Sequence, residues 1–219
     1  MALPPAGFAV EYFRCPACGH CHCPEICSWD LATFADKIYN ADYVRVDPEY
    51  LEKRPINNAD FVANLFPSVT NEVRHLDYGG GNGGMAANLR DFAWDSSSYD
   101  PYQQSGGIAG LGRFDLITAF EVFEHVPDPQ ALLRELRSLL QPDGVILFTT
   151  LPSDGLIAVG QPLDWWYAAP RNGHINLFSR ASLTHLAQDH GFQLFGLSDN
   201  CFLMLDQVPD WARHLFAQG

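Results

Sequence analysis

Five glycines in six positions, Gly79-Gly80-Gly81-Asn82-Gly83-Gly84, follow directly on an apolar stretch at 73–77 that ends in Asp77. No other feature of the chain restricts its fold as strongly. Glycine reaches left-handed backbone angles without a Cβ penalty, so such a turn suits a main chain that another group must approach closely. The helical spacing of residues 85–92 puts a helix N-terminus, with its unpaired N–H groups, at the end of the turn. A strand, a glycine turn and a helix in that order open a βαβ unit, and a ligand would lie beyond the carboxyl ends of the strands. Further short apolar runs at 95–100, 114–120 and 145–150, with a second helical pattern at 131–140, predict an α/β fold on a mostly parallel sheet. An amphipathic helix over 180–190, closed by Gly191, leads into a strand pair at 192–198 and 201–206.

The segment before this pattern differs in character. Five of the six cysteines fall between Cys15 and Cys27, too crowded for a disulfide framework, and residues 29–39 and 58–66 have helical spacing. Residues 1–70 are therefore read as a Cys-rich segment and helical cap, and residues 71–219 as the main domain. Cys15-Pro16-Ala17-Cys18-Gly19-His20 has the spacing of a zinc-knuckle hairpin. One knuckle supplies two ligands of four, and Cys23 and Cys27 are taken as the second pair, with Cys21, His20 and His22 as local alternatives. An iron–sulfur cluster on the Cys15, Cys18, Cys21 spacing, or thiols without metal, are the competing readings.

Charge excludes several partners. The chain has 26 acidic against 13 basic residues, a formal charge of −13, and its only lysines are Lys37 and Lys53. Nucleic acids and anionic membranes are gripped by basic faces, so neither is an expected partner. No stretch approaches the roughly 20 apolar residues of a membrane helix, and residues 1–10 lack a basic leader pattern, so the expected location is cytoplasmic. Oligomeric state stays open, a dimer included.

The glycine turn fits two cofactor classes. Gly79, Gly81 and Gly84 satisfy the spacing of a dinucleotide fold, whereas Asp77, Gly79, Gly81 and Gly83 satisfy D-x-G-x-G-x-G. Asp100, about twenty residues on, serves either class by holding ribose hydroxyls. The second pattern resembles the first motif of class I S-adenosylmethionine-dependent methyltransferases. Three later stretches favour that family. Phe114-Asp115-Leu116-Ile117-Thr118-Ala119-Phe120-Glu121-Val122-Phe123-Glu124-His125 resembles its fourth strand and sequel in the branch of ubiquinone-biosynthesis O-methyltransferases. Leu139-Leu140-Gln141-Pro142-Asp143-Gly144-Val145 resembles the entry to its fifth strand, and His174-Ile175-Asn176-Leu177-Phe178-Ser179 also fits that branch. The resemblance spans about residues 71–206.

The resemblance implies a Rossmann-like three-layer sandwich and S-adenosylmethionine as cofactor. Asp77 would face the methionine ammonium, with Gly79, Gly81 and Gly83 shaping the cradle. Asp100 would hold the ribose, and Phe120 and Glu121 would lie near the sulfonium. Only fourteen residues separate Asp100 from Asp115, where the family fits a helix and a third strand. The sheet edge is thus expected to be shortened there. Methyl transfer to a small-molecule O-, C- or N-nucleophile needs alignment and, for most acceptors, a base. His174 in the 152–177 loop and His125 beside Glu124 are the candidate bases, and Trp165, Trp166 and Tyr167 the candidate acceptor wall. A non-catalytic binding module on the same scaffold, and more distantly an NAD(P)-dependent oxidoreductase, are the opposing readings.

Overall fold

The computed structural model describes residues 9–69, 72–104 and 106–216. The leader reading of residues 1–10 and the boundary between 70 and 71 rest largely on positions outside these. In chain order come a small hairpin, β1 (Phe13–Arg14) and β2 (Cys21–His22), then helices α1 (Pro24–Cys27), α2 (Leu31–Lys37), α3 (Tyr43–Val46) and α4 (Lys53–Leu65). The main domain follows as β3 (Arg74–Tyr78), α5 (Gly84–Asp91), β4 (Asp95–Tyr99), β5 (Phe114–Phe120), α6 (Pro129–Leu139), β6 (Leu140–Thr149), β7 (Asn176–Leu177), α7 (Arg180–Asp189), β8 (Gln193–Gly196) and β9 (Cys201–Leu205).

The main sheet has the order β4-β3-β5-β6-β9-β8. Pairing is parallel from β4 through β6 and antiparallel at β9 and β8. Strands β5, β6 and β9 are apolar on both faces, and the period of two sorts their residues between two cores. Ile117, Ala119, Ile146, Phe148, Phe202 and Met204 pack on one side with Leu132, Leu133 and Leu136 of α6 and Leu183 of α7. Leu116, Val145, Leu147, Cys201 and Leu203 pack on the other with Ala59 and Val62 of α4 and Met85 and Leu89 of α5. Helices on both faces of a mostly parallel sheet make the three-layer sandwich that the sequence predicts.

Local chemistry starts and stops the helices. Asp128 caps α6 by accepting from Ala131 N at 2.9 Å, with Pro129 at the first position, where a missing N–H costs nothing. Ser179 and Ser182 form a reciprocal cap on α7. Two expectations shift. The cap helix predicted at 58–66 begins at Lys53, because Pro55 sits in the first turn rather than breaking the helix. The helix predicted over 29–39 is the shorter α2, started by Asp30, whose carboxylate accepts from Thr33 N at 2.8 Å.

Among the described residues between β4 and β5 there is no strand, so β4 is the sheet edge. The hairpin β1-β2 instead pairs through β2 with β7, in a separate three-stranded sheet. Among the described residues no helix is long and apolar enough to cross a membrane.

Candidate active site

A cavity of about 710 Å³ opens beyond the carboxyl ends of β3, β4 and β5, where Asp77, Gly79, Asp100 and Phe120 line it. The glycine turn forms its floor. Gly81 has φ +54° and Gly79 φ +73°, both left-handed, and a Cβ on Gly79 would stand 2.6 Å from Val122 Cγ2. Larger residues would strain the backbone and collide with the β5 exit. Asp100 is pinned at this floor: Gly81 N donates to its Oδ2 at 3.0 Å and Tyr102 N to its Oδ1 at 2.8 Å. Each oxygen keeps a free lone pair, which leaves the carboxylate able to accept from a vicinal diol. Asp77 is 4% exposed and its carboxyl is pushed up to about 7, chiefly by burial, eased by the Thr118 hydroxyl and raised further by the charge of Asp100. Gly83 lies outside the cavity lining; it caps α5 at φ +76°, so its contribution is to the turn rather than to the wall.

At the end of β5, Glu121 takes φ +52°, an unusual angle for a residue with a side chain. Thr149 holds it there, accepting from Glu121 N and donating to Glu121 Oε1, both at 3.0 Å. This strained carboxylate lines the cavity with Phe120. Thr149 carried no signal in the sequence, since its role depends on β6 lying beside β5.

Beyond it lie the candidate bases. His174 is buried, and its Nδ1–H donates to Tyr167 O at 2.7 Å, which leaves the lone pair on Nε2. Burial lowers its pKa, so the ring is neutral at pH 7; the carbonyl of Tyr167 and the charge of Glu121 pull the other way. His125 packs edge-on against it, ring centroids 4.8 Å apart, and its Nδ1 has no partner among the described residues. Glu124, although adjacent to His125 in the chain, is not its hydrogen-bond partner. It turns inward, fully buried, and accepts from the Tyr167 hydroxyl at Oε1, while its Oε2 lacks a partner among the described residues. Burial, with the nearby charge of Glu121, holds its pKa well above the carboxylate range. One ligand atom each from Glu124, His125 and His174 lie within 4.8 Å of one another.

The aromatic loop divides. Tyr167 is buried and lines the cavity, and Trp166 lines it while 77% exposed. Trp165 is not in the wall; it packs with Tyr167, Cys21 and Leu177 in a satellite core. The cap supplies wall residues that the sequence did not single out, notably Tyr50, Asp47 and Arg54. Arg54 forms a bidentate pair with Asp47, at 2.5 and 2.8 Å. Tyr12 donates its hydroxyl to His174 O at 2.5 Å, and Cys23 N to Ile175 O at 2.9 Å, so the N-terminal segment braces the histidine loop.

The cysteines do not assemble as expected. The knuckle turn is present, with Gly19 N donating to Cys15 O at 2.9 Å and Cys15 N to His20 O at 2.7 Å. Backbone N–H groups of Cys18 and Ala17 lower the Cys15 thiol's pKa. Cys23, however, packs in an apolar cluster with Cys27 against its edge, and burial pushes Cys27 up to about 11. Cys15, Cys18, Cys23 and Cys27 therefore do not converge on one centre, because α1 carries the second pair into the core.

The methyltransferase-domain family profile matches residues 50–195. The ubiquinone biosynthesis O-methyltransferase of Actinobacillus pleuropneumoniae is 49% identical over 55 residues, 25% of this chain and 24% of that protein. Its Escherichia coli counterpart is 43% identical over 44 residues, 20% and 18% of the two chains. These curated relatives are thus matched over about a quarter of their length or less. Magnesium protoporphyrin IX methyltransferase from Synechocystis PCC 6803, with bound SAH, superposes at TM-score 0.53 and 13% identity, over 81% of this chain and 100% of that one. The 1,6-didemethyltoxoflavin-N1-methyltransferase of Burkholderia thailandensis, with bound 1,6-didemethyltoxoflavin and S-adenosylhomocysteine, superposes at TM-score 0.52 and 16% identity, over 89% of this chain and 97% of that one. At such identities the structures share a fold. The profile, which covers well over half the residues and includes the glycine turn, β5 and the cavity they frame, shows that the chain belongs to the methyltransferase-domain family.

Proposed function

We propose that this protein binds S-adenosylmethionine and transfers its methyl group to an uncharged small-molecule hydroxyl, with His174 as base. The observation that carries the reading is the floor of the cavity. A buried acid, Asp77, and a ribose-type acid, Asp100, flank a glycine turn that would let a ligand lie against the main chain. That set suits a ligand bearing both a cation and a vicinal diol. The cavity volume is of the size in which proteins bury such ligands. Asp77 would meet the ammonium, Gly79 and Gly81 would back the amino-acid and ribose portions, Asp100 would accept from the ribose, and Phe120 and Glu121 would border the sulfonium. When bound, the cofactor supplies a methyl carbon already activated for displacement.

The chain's own residues would then handle the proton. Tyr167 O fixes the His174 tautomer, so Nε2 is the atom that accepts the acceptor's hydrogen. The imidazolium that forms gains from the charge of Glu121. Tyr167 and Trp166 would flank the acceptor. Of the charged side chains lining the cavity, Asp47, Asp77, Asp100 and Glu121 outnumber Arg54, which Asp47 already holds on two nitrogens. An anionic acceptor would find no unpaired cation there, which favours an uncharged hydroxyl. The names of the curated O-methyltransferases support an oxygen nucleophile. We place the chain in the cytoplasm, a reading that its unpaired cysteines support.

Calorimetric titration with S-adenosylmethionine, S-adenosylhomocysteine and NAD(P), followed by transfer of labelled methyl to a panel of phenols and alcohols, tests the reading. The first two ligands should bind and NAD(P) should not. Binding without transfer to any acceptor would leave a non-catalytic module, and failure of the first ligand to bind would refute the proposal outright.

A further inference from the structure

His75 is the one histidine buried entirely within the main sheet, and the proposed chemistry does not use it. It lies two residues before Asp77 on β3, so both side chains emerge on the same face, toward α4 and α5. Its two ring nitrogens reach the strands on either side. Nδ1 is 2.7 Å from Ser96 Oγ on β4, and Nε2 is 3.0 Å from Thr118 Oγ1 on β5. Thr118 Oγ1 in turn donates to Asp77 Oδ1 at 3.2 Å, with Leu76 O a more distant alternative at 3.5 Å.

With Asp77 ionised, one arrangement of protons satisfies the contacts from Ser96 through to Asp77. A Thr118 hydroxyl that donates to Asp77 is left free to accept, so His75 must carry its proton on Nε2 and give it to Thr118. Nδ1 then accepts, and Ser96 donates to it. The result is a directed chain, Ser96 to His75 to Thr118 to Asp77, in which each donor polarises the next toward the carboxylate. Burial, with no charged partner, holds His75 neutral, down to about 3, so the ring donates without adding a charge. Trp94 closes it off edge-on, ring centroids 5.9 Å apart.

We propose that His75 and Thr118 are positioning residues that orient the Asp77 carboxylate and favour its ionised form for cofactor binding. The inference rests on Asp77 facing the cofactor, as argued above. The register explains why the position suits this role: His75 pairs with Ser96 and Leu116, and Asp77 with Thr118, so Thr118 bridges two consecutive same-face residues of β3. The charged group acting on Asp77 besides this chain is Asp100, whose like charge opposes ionisation. The relay is thus the counterweight to burial and to Asp100.

The test compares Thr118→Val, Thr118→Ser, His75→Val and Asp77→Asn in the full chain, reading the Kd for S-adenosylmethionine from pH 5.5 to 8.5. Removing a hydrogen bond to a charged group predicts about a tenfold weaker Kd at pH 7 for Thr118→Val, with the pH midpoint of binding displaced upward. Thr118→Ser restores the hydroxyl and should bind within about threefold of the unaltered protein. His75→Val, which removes the polarising donor but leaves Thr118 free to donate, should fall between them. The turnover at saturating cofactor should not change in any of the three. Unaltered affinity and pH midpoint in Thr118→Val, alongside a weakened Asp77→Asn, would overturn the relay while leaving the site intact. Unaltered affinity in Asp77→Asn would instead overturn the reading of Asp77. If the valine variants do not fold, nitrogen-labelled histidine in the unaltered protein decides the matter. His75 should be neutral and protonated on Nε2, with a shift that moves on cofactor saturation. A proton on Nδ1, or a shift indifferent to cofactor, would refute the direction of the chain.

Discussion

Replacing Asp77 with Asn should make the cofactor-free protein more stable at pH 8 and a poorer cofactor binder. The carboxyl is pushed from its ordinary 3.8 up to about 7 by burial. Because the folded-state value is raised, the carboxylate is unfavourable in the native state wherever it must ionise. The penalty is absent below the unfolded value, grows as pH rises from about 4, and is complete above about 7. Three units at about 1.36 kcal/mol each set a ceiling of about 4 kcal/mol. Thr118 can still donate to the Asn carbonyl, and relaxation around the charge takes part of the gain, so about 2 kcal/mol is the expected size. For a chain of this length that is a rise in Tm of about 4–8 °C. Thermal unfolding of both proteins without cofactor, at pH 4.5 and pH 8, measures it. The gain should appear in full at pH 8 and shrink to about a quarter of that at pH 4.5, where Asp77 of the unfolded chain is still mostly ionised, while calorimetry shows weakened S-adenosylmethionine binding. An equal gain at both pH values would mean that the effect is packing rather than charge. A loss at pH 8 would refute the argument that this acid is held at a cost for its ligand.

Asp100→Ala should orphan the amides of Gly81 and Tyr102, cost about 2 kcal/mol in chemical unfolding, and weaken the cofactor Kd by about a hundredfold in calorimetry. His174→Gln should lower methyl transfer by about 10²–10³-fold in a labelled-methyl assay, with cofactor affinity nearly unchanged, because the base is needed only after both ligands are in place. A chelator arm in the same assay separates proton abstraction from metal assistance at Glu124, His125 and His174: activity should survive chelation if His174 acts alone. In native thiol titration, Cys15 and Cys18 should react first, being part-exposed with the Cys15 thiol lowered, whereas buried Cys23 and Cys201 should react only on unfolding. Stoichiometric zinc in protein purified without chelator would protect that first pair and restore the metal reading of the knuckle.

The parts of the site that were legible early are those built from contiguous residues. The turn from Gly79 to Gly84 announces itself because left-handed angles admit few residues besides glycine, and Asp77 and Asp100 sit at the ends of the strands that flank it. The absence of a third strand among the described residues was legible as well, since few residues separate β4 from β5. What escaped depends on neighbours remote in the chain. Glu124 beside His125 looks like an orienting pair, yet the short helix at Phe123–His125 turns the carboxyl inward to Tyr167, 43 residues on. Trp165 and Trp166 are adjacent, yet one packs half-buried beside the hairpin and the other faces the cavity, a choice made by β2 and β7. Five cysteines within thirteen positions suggest one centre, but α1 draws Cys23 and Cys27 into an apolar cluster and separates them from the knuckle.

From its residues alone this chain determines a mostly parallel α/β domain and the glycine turn at which we propose the cofactor lies, because backbone sterics and hydrophobic period are local properties that a short window carries. Tertiary structure alone decided which donors meet. His75 reaches Ser96 and Thr118 across three strands, Thr149 holds Glu121 in its strained angle, and Tyr12 braces His174 from 162 residues away. Hydrogen bonds and ionisation depend on distance and burial, and neither exists until the strands have set their register.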